Sequence, residues 1–70
     1  MLRIERELFE RHMSQAECAR LAGINQTSMS RIVRGKEPAF PNRGRRIADA
    51  LGWEGEVSEL FEEVSEDGVL

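Results

Sequence analysis

The side chains on which enzymes and metal sites depend are almost absent from this sequence of 70 residues. There is one cysteine, Cys18, one histidine, His12, and no tyrosine. A lone cysteine excludes an internal disulfide, and without further ligands at suitable spacing it does not make a metal site. A glycine-rich phosphate loop is also missing. We therefore expect no catalytic residues, no metal and no cofactor, and predict that the protein is not an enzyme.

Long apolar runs are missing as well. No stretch approaches the roughly 20 apolar residues that a membrane-spanning helix needs. The N-terminal segment 1–11, MLRIERELFER, is amphipathic and charged, unlike a signal peptide. The lone cysteine fits a reducing compartment. These features predict a cytoplasmic protein with no membrane partner.

Positive charge is missing from the last third of the chain. Residues 1–48 carry ten basic and five acidic groups, net +5, whereas residues 49–70 carry eight acidic groups and no basic ones, net −8. This asymmetry is typical of a DNA-facing half joined to a solvated acidic segment. A plain acidic tail on another kind of soluble domain explains it equally well, so charge alone leaves both interpretations open.

The segment 13–36, MSQAECARLAGINQTSMSRIVRGK, has the pattern of two short helices joined by a tight turn. Ser14 is a good helix N-cap, and Glu17 stands where it completes a capping box. Gly23 suits the left-handed residue that ends such a helix, and Asn25 is placed to cap the next one. The segment therefore predicts a helix-turn-helix.

The second of these helices combines one apolar stripe with an otherwise polar surface. The stripe consists of Met29, Ile32 and Val33. Gly35 ends the helix, and Pro38 prevents its continuation. The helix-turn-helix proper is predicted over about 14–35, an arrangement that places its second helix in the major groove of DNA.

Further short helices are predicted on both sides of this motif. A first helix spans 2 to about 11 and ends at His12, a residue type that tolerates left-handed φ. A loop with two prolines precedes a fourth helix over about 43–51, and Gly52 stops it. A fifth helix is indicated by apolar residues at i, i+3, i+4 and i+7. These are Val57, Leu60, Phe61 and Val64.

The predicted fold is therefore all-α, a compact bundle of about five short helices around one core. We expect a single domain over 1–65, followed by a frayed acidic C-terminal tail over 66–70.

Several sequence words in order resemble the Cro and phage-repressor helix-turn-helix family, also called the xenobiotic-response-element family. They are SQAECA, LAGIN, SMSRI, RGK, RRIADALG and ELF, and the resemblance runs from about Leu2 to Val64. It implies a lambda-repressor-like DNA-binding domain. The chain departs from the family pattern at His12, where glycine is usual, and at Cys18, where leucine is usual. We interpret Cys18 as a small buried apolar residue.

Many relatives carry an acidic residue at the position of Val33, paired with a basic residue at the position of Leu8. Both positions are apolar here, and we predict that a Val33–Leu8 contact replaces the ion pair. Trp53 is predicted to cap the core between the last two helices. The predicted scaffold comprises Leu8, Cys18, Ala19, Leu21, Ile24, Met29, Ile32, Ile47, Leu51 and Leu60.

The resemblance places base contacts at Gln26, Thr27 and Arg31. Glutamine bonds bidentately to adenine and arginine to guanine, while Thr27 suits a thymine methyl group or a phosphate. Ser28 is a further candidate for a base contact, although it is equally compatible with facing the preceding helix.

Phosphate contacts are expected around these base contacts. The resemblance puts Gln15 at a phosphate, where the N-terminus of its helix adds N–H donors. The other predicted phosphate contacts are Ser30, Arg34, Lys36 and Arg43. Such contacts hold the register on DNA and carry little sequence information.

Together these features predict a sequence-specific, double-stranded DNA-binding regulator of transcription, a repressor of phage or mobile-element type. Helix-turn-helix regulators usually bind as dimers, so we expect a homodimer at least on DNA and no small-molecule ligand. The alternative is a protein-interaction module on the same fold, antitoxin- or antirepressor-like. In that case the acidic C-terminal segment binds a partner or shields the DNA face.

Overall fold

The computed structural model describes residues 1–64, so the predicted tail at 66–70 lies outside the described residues. Its elements are α1 (Arg3–Glu10), α2 (Gln15–Ala22), α3 (Gln26–Val33), α4 (Arg43–Leu51) and a 3-10 helix (Val57–Phe61). Within residues 1–64 the regular elements are all helical, and one isolated antiparallel bridge joins Leu2 to Glu63. The predicted all-α fold is confirmed.

The turn between α2 and α3 forms as its sequence indicates. The Ser14 hydroxyl accepts from the backbone N–H of Glu17 at 3.0 Å, and Gly23 ends α2 in the left-handed region with φ of 69°. The Asn25 carboxamide oxygen accepts from the N–H of Thr27 at 2.7 Å. The two caps fix where each helix of the motif begins. The Glu17 carboxylate accepts from Arg20 at 3.0 Å and not from the Ser14 N–H, so the reciprocal bond of the predicted capping box does not form.

The first helix is one residue shorter at each end than predicted, and His12 follows it with φ of 55°. The left-handed conformation expected at His12 is confirmed. It reverses the chain so that the N–H of Met13 donates to the carbonyl of Leu8 at 2.9 Å. This bond satisfies one of the carbonyls that a helix leaves free at its C-terminal end.

The core consists of apolar side chains from every helix. Its buried members include Ile4, Leu8, Cys18, Ala19, Ile24, Met29, Ile32, Val33, Ile47, Leu51 and Leu60. Trp53 packs against this core, half-buried, in the connection between α4 and the 3-10 helix, as predicted. Leu8 and Val33 are both buried there, and their direct contact stays a prediction.

The scaffold role predicted for Leu21 is wrong, because its side chain is 49% exposed. The buried stripe of α2 consists of Cys18, Ala19 and Ala22. Since successive residues of an α-helix are about 100° apart, Leu21 lies beyond the edge of that stripe. It lines a surface depression beside α4 instead.

The fifth element also differs from its prediction, because it is a 3-10 helix that ends at Phe61. The expected α-helical spacing extended to Val64, but the N–H of Val64 donates to the carbonyl of Met1 at 2.8 Å. The N–H of Arg3 likewise donates to the carbonyl of Glu62 at 2.9 Å. Pairing with the N-terminus replaces the helical hydrogen bonds that the sequence pattern predicted.

Gly44 allows α4 to approach this 3-10 helix closely. A Cβ at Gly44 would lie 3.2 Å from Val57 Cγ1 and 3.3 Å from Phe61 Cε2. Phe61 also packs edge-on against Phe40, with ring centroids 5.6 Å apart. Val57 and Phe61 therefore serve the core of their own chain.

Candidate nucleic-acid interface

The outer surface of α3 carries most of the side chains that sequence analysis assigned to DNA. The buried stripe of the helix faces the core, and the opposite side forms one open depression. That depression is lined by Gln26, Thr27, Ser30, Arg31 and Arg34. The structure thus brings three predicted base contacts and two predicted phosphate contacts onto one surface.

Gln26 lies where α2 and α3 meet. Besides the α3 depression, it lines a second one with residues of α2 that include Ser14 and Arg20. Gln15, the predicted phosphate contact at the start of α2, is half-buried and lines neither depression. The two depressions are adjacent, because both are lined by Gln26.

Ser28 does not line this depression. It is half-buried and lies near the Glu37 carboxylate in the loop after α3, where it lowers the pKa of that group. Gly35 makes this geometry possible, because its φ of 76° turns the chain back at the end of α3. Ser28 thus lies at the edge of the surface that carries Gln26, Thr27 and Arg31.

The same carboxylate binds a predicted phosphate contact. Arg43 Nη1 donates to Glu37 Oε2 at 2.6 Å, and Nη2 donates to the carbonyl of Pro38. The hydrogen bond from Arg43 lowers the pKa of Glu37 below its ordinary value. The Ser28 hydroxyl and the charge of Arg31 act in the same direction. Glu37 is therefore ionised at neutral pH.

Unpaired positive charge is concentrated on α3 and α4. Arg6, Arg11 and Arg20 form ion pairs with acids three or four residues away in sequence. Among residues 1–64, five exposed basic residues have no such pair: Arg31, Arg34, Lys36, Arg45 and Arg46. A surface of this kind attracts polyanions, with a strength that falls as salt concentration rises.

A family model described as a helix-turn-helix domain matches residues 1–61. The chain belongs to the helix-turn-helix family. The match covers the motif, the core and the 3-10 helix, and it agrees with the resemblance to Cro and phage repressors. No curated protein and no solved structure matches the chain significantly. The family assignment makes this helix-turn-helix domain a DNA-binding regulator.

Glu37 is the acidic member of this site, and sequence analysis missed it. Its signal was available, because Glu37 is the only acidic residue between Glu17 and Asp49 in the sequence. An isolated acid within a basic segment indicates a partner among the neighbouring bases.

Other kinds of site find no support in the part of the helix-turn-helix domain that the structure describes. No group of three or more histidine, cysteine, aspartate or glutamate side chains in residues 1–64 is placed to hold a metal ion. No helix among these residues is long and apolar enough to span a bilayer.

Proposed function

We propose that this protein is a sequence-specific regulator of transcription that binds double-stranded DNA through α3, acting as a cytoplasmic repressor of phage or mobile-element type. The single observation that supports this most is the outer surface of α3, where polar side chains and unpaired positive charge coincide. An α-helix is about 10–12 Å across, which suits the B-DNA major groove of about 12 Å.

The proposed base contacts follow the exposed edge of α3. Gln26 bonds to adenine, Thr27 contacts a thymine methyl group, and Arg31 bonds to guanine O6 and N7. Ser28 contributes from the rim of the helix, where its half-buried hydroxyl can donate to or accept from a base edge.

The proposed phosphate contacts surround these bases. Gln15 uses the N-terminus of α2, Ser30 and Arg34 lie along α3, and Lys36 follows its end. The N–H of Lys36 donates to the carbonyl of Arg31 at 2.8 Å, which keeps the lysine beside the recognition helix. Arg43 completes the predicted set only when its guanidinium is released from Glu37, to which it is bound in the free protein.

We also propose a homodimer on DNA, with half-sites about one helical turn apart. Phe40 supports an apolar contact between copies, since it is 49% exposed beside Phe61. Sedimentation of the free and DNA-bound protein tests this. A strict monomer in both states contradicts the dimer.

Selection of binding sites from random duplex DNA at two salt concentrations tests the main proposal. The expected result is an enriched, roughly palindromic motif with half-sites about 10 base pairs apart. Arg31→Gln should reduce the discrimination between bases at one position of the motif by about 1–3 kcal/mol. Lys36→Gln is the matched control, and it should weaken binding to all DNA sequences by the same factor. Binding without enrichment that disappears as salt rises contradicts the proposal.

The second candidate is a protein-interaction module, antitoxin- or antirepressor-like. It is favoured by Phe9, which is 82% exposed on α1 beside Arg6 and Glu10. Phe9→Ser should leave DNA selection unchanged if the main proposal holds, because α1 carries none of the proposed DNA contacts.

A further inference from the structure

The ion pair between Glu37 and Arg43 sets Arg43 apart from the other bases assigned to DNA. One guanidinium nitrogen lies 2.6 Å from the carboxylate, and another donates to the Pro38 carbonyl. The Arg43 and Glu37 side chains are only 29% and 24% exposed. Each of the two Nη atoms of the guanidinium thus makes a hydrogen bond within the chain itself.

Arg34 and Lys36 show the contrasting arrangement. Both are exposed and, within residues 1–64, neither forms an ion pair. Arg34 and Lys36 can bind a phosphate without breaking an existing ion pair, whereas Arg43 must first release the Glu37 carboxylate.

We propose that Glu37 masks a binding site for a DNA backbone phosphate at Arg43. A carboxylate and a phosphate bind an arginine through the same N–H donors, so the two groups compete for one position. The Glu37 charge also repels a phosphate that approaches Arg43. This inference rests on the proposed function, since it concerns the same DNA-binding surface.

The mask has a measurable consequence. The slope of log affinity against log salt is about −0.9 for each phosphate that a protein neutralises on duplex DNA. With Glu37 in place, Arg43 adds nothing to that slope. Without Glu37, Arg43 adds one phosphate contact.

The test is a double-mutant cycle of Glu37→Gln and Arg43→Gln. Binding to one fixed DNA duplex is measured by fluorescence anisotropy at salt concentrations from about 0.05 to about 0.3 M. Glu37→Gln should steepen the slope by about 0.9 and tighten binding about tenfold at the lowest salt. Arg43→Gln alone should leave the slope unchanged. Added to Glu37→Gln, it should abolish the gain.

The matched control is Glu54→Gln, which removes the same charge from an exposed position after α4. It should not change the slope. Glu37→Ala provides a second variant with the same expected gain, and thermal melting of each variant verifies that it is folded.

Any of three results overturns the masked site. Arg43→Gln alone makes the slope of log affinity against log salt shallower, or the affinity gained by Glu37→Gln survives in the double variant, or Glu54→Gln gains the same affinity. If the wild-type protein binds DNA and any of these occurs, only this inference fails. If the wild-type protein binds no DNA at low salt, the proposed function fails, and the masked site fails with it.

Discussion

The Arg11 side chain joins the ends of two helices, because its Nε donates to the carbonyl of Leu51 at 3.0 Å. Leu51 is the last residue of α4 and Arg11 directly follows α1, so the bond connects residues 40 positions apart in sequence. Arg11 also forms an ion pair with Glu7. A positive charge at the C-terminus of α4 satisfies a free carbonyl and interacts favourably with the helix dipole.

Arg11→Gln should therefore destabilise the protein by about 1–2 kcal/mol, since a partly buried charged hydrogen bond is lost. The free energy of unfolding in urea measures this. Arg20→Gln is the control, because the Arg20–Glu17 pair is mostly exposed and should contribute under about 0.5 kcal/mol. Equal losses in the two variants would show that the bond to Leu51 has no special weight.

Val33→Glu should destabilise the protein by about 3 kcal/mol or more, because it places an unpaired charge in the core. Val33 is 1% exposed and Leu8 is 4% exposed in the same core. Thermal melting measures the effect, with Arg34→Glu as the control at the neighbouring exposed position. Adding Leu8→Lys to Val33→Glu should recover part of the loss if the two side chains are in contact. A Val33→Glu protein that melts at the wild-type temperature contradicts the predicted contact.

The parts of the fold that sequence predicted well depend on bonds between near neighbours. The caps made by Ser14 and Asn25 join residues no more than three positions apart. The left-handed turns at His12 and Gly23 depend on the residue that occupies each position. Such features are local, so the residues themselves identify them.

The parts that sequence predicted poorly depend on distant partners. Periodicity does not show that Val64 will bond to Met1, a pairing that lies beyond the end of the 3-10 helix at Phe61. The exposure of Leu21, by contrast, was available from helical geometry, because Leu21 lies off the stripe formed by Cys18, Ala19 and Ala22. Glu37 reaches Arg43 only after the turn at Gly35 is known.

Gly55→Ala should destabilise the connection after α4 by about 1–2 kcal/mol through steric crowding. A Cβ there would lie 2.9 Å from Trp53 Cζ2 and 2.7 Å from Glu59 Oε1. The carboxylate is flexible and can move, but the indole is fixed by its Nε1 bond to the Glu56 carbonyl at 2.9 Å. The fluorescence of the single tryptophan should therefore shift towards that of exposed indole.

Gly23→Ala separates this crowding from backbone strain. No atom lies within 4 Å of a Cβ at Gly23, so its effect comes from the φ of 69° alone. That strain costs about 1–2 kcal/mol and should leave the Trp53 emission unchanged. A native Gly55→Ala protein with wild-type emission and stability would show that the indole is not held in place.

Cys18 should behave as a protected thiol, because burial raises its pKa above the ordinary value of 9.0. Alkylation by iodoacetamide at neutral pH should be at least about tenfold slower in the native protein than in urea, since the thiolate is both scarce and inaccessible. Native and unfolded protein that react equally fast with iodoacetamide would contradict a core position for Cys18.

A raised pKa of Cys18 also means that the unfolded chain releases this proton at lower pH than the folded one. Stability should be full below pH 9.0 and decline as the pH rises through the folded value. Cys18→Ala is the control, and this decline should be absent from its urea unfolding curves.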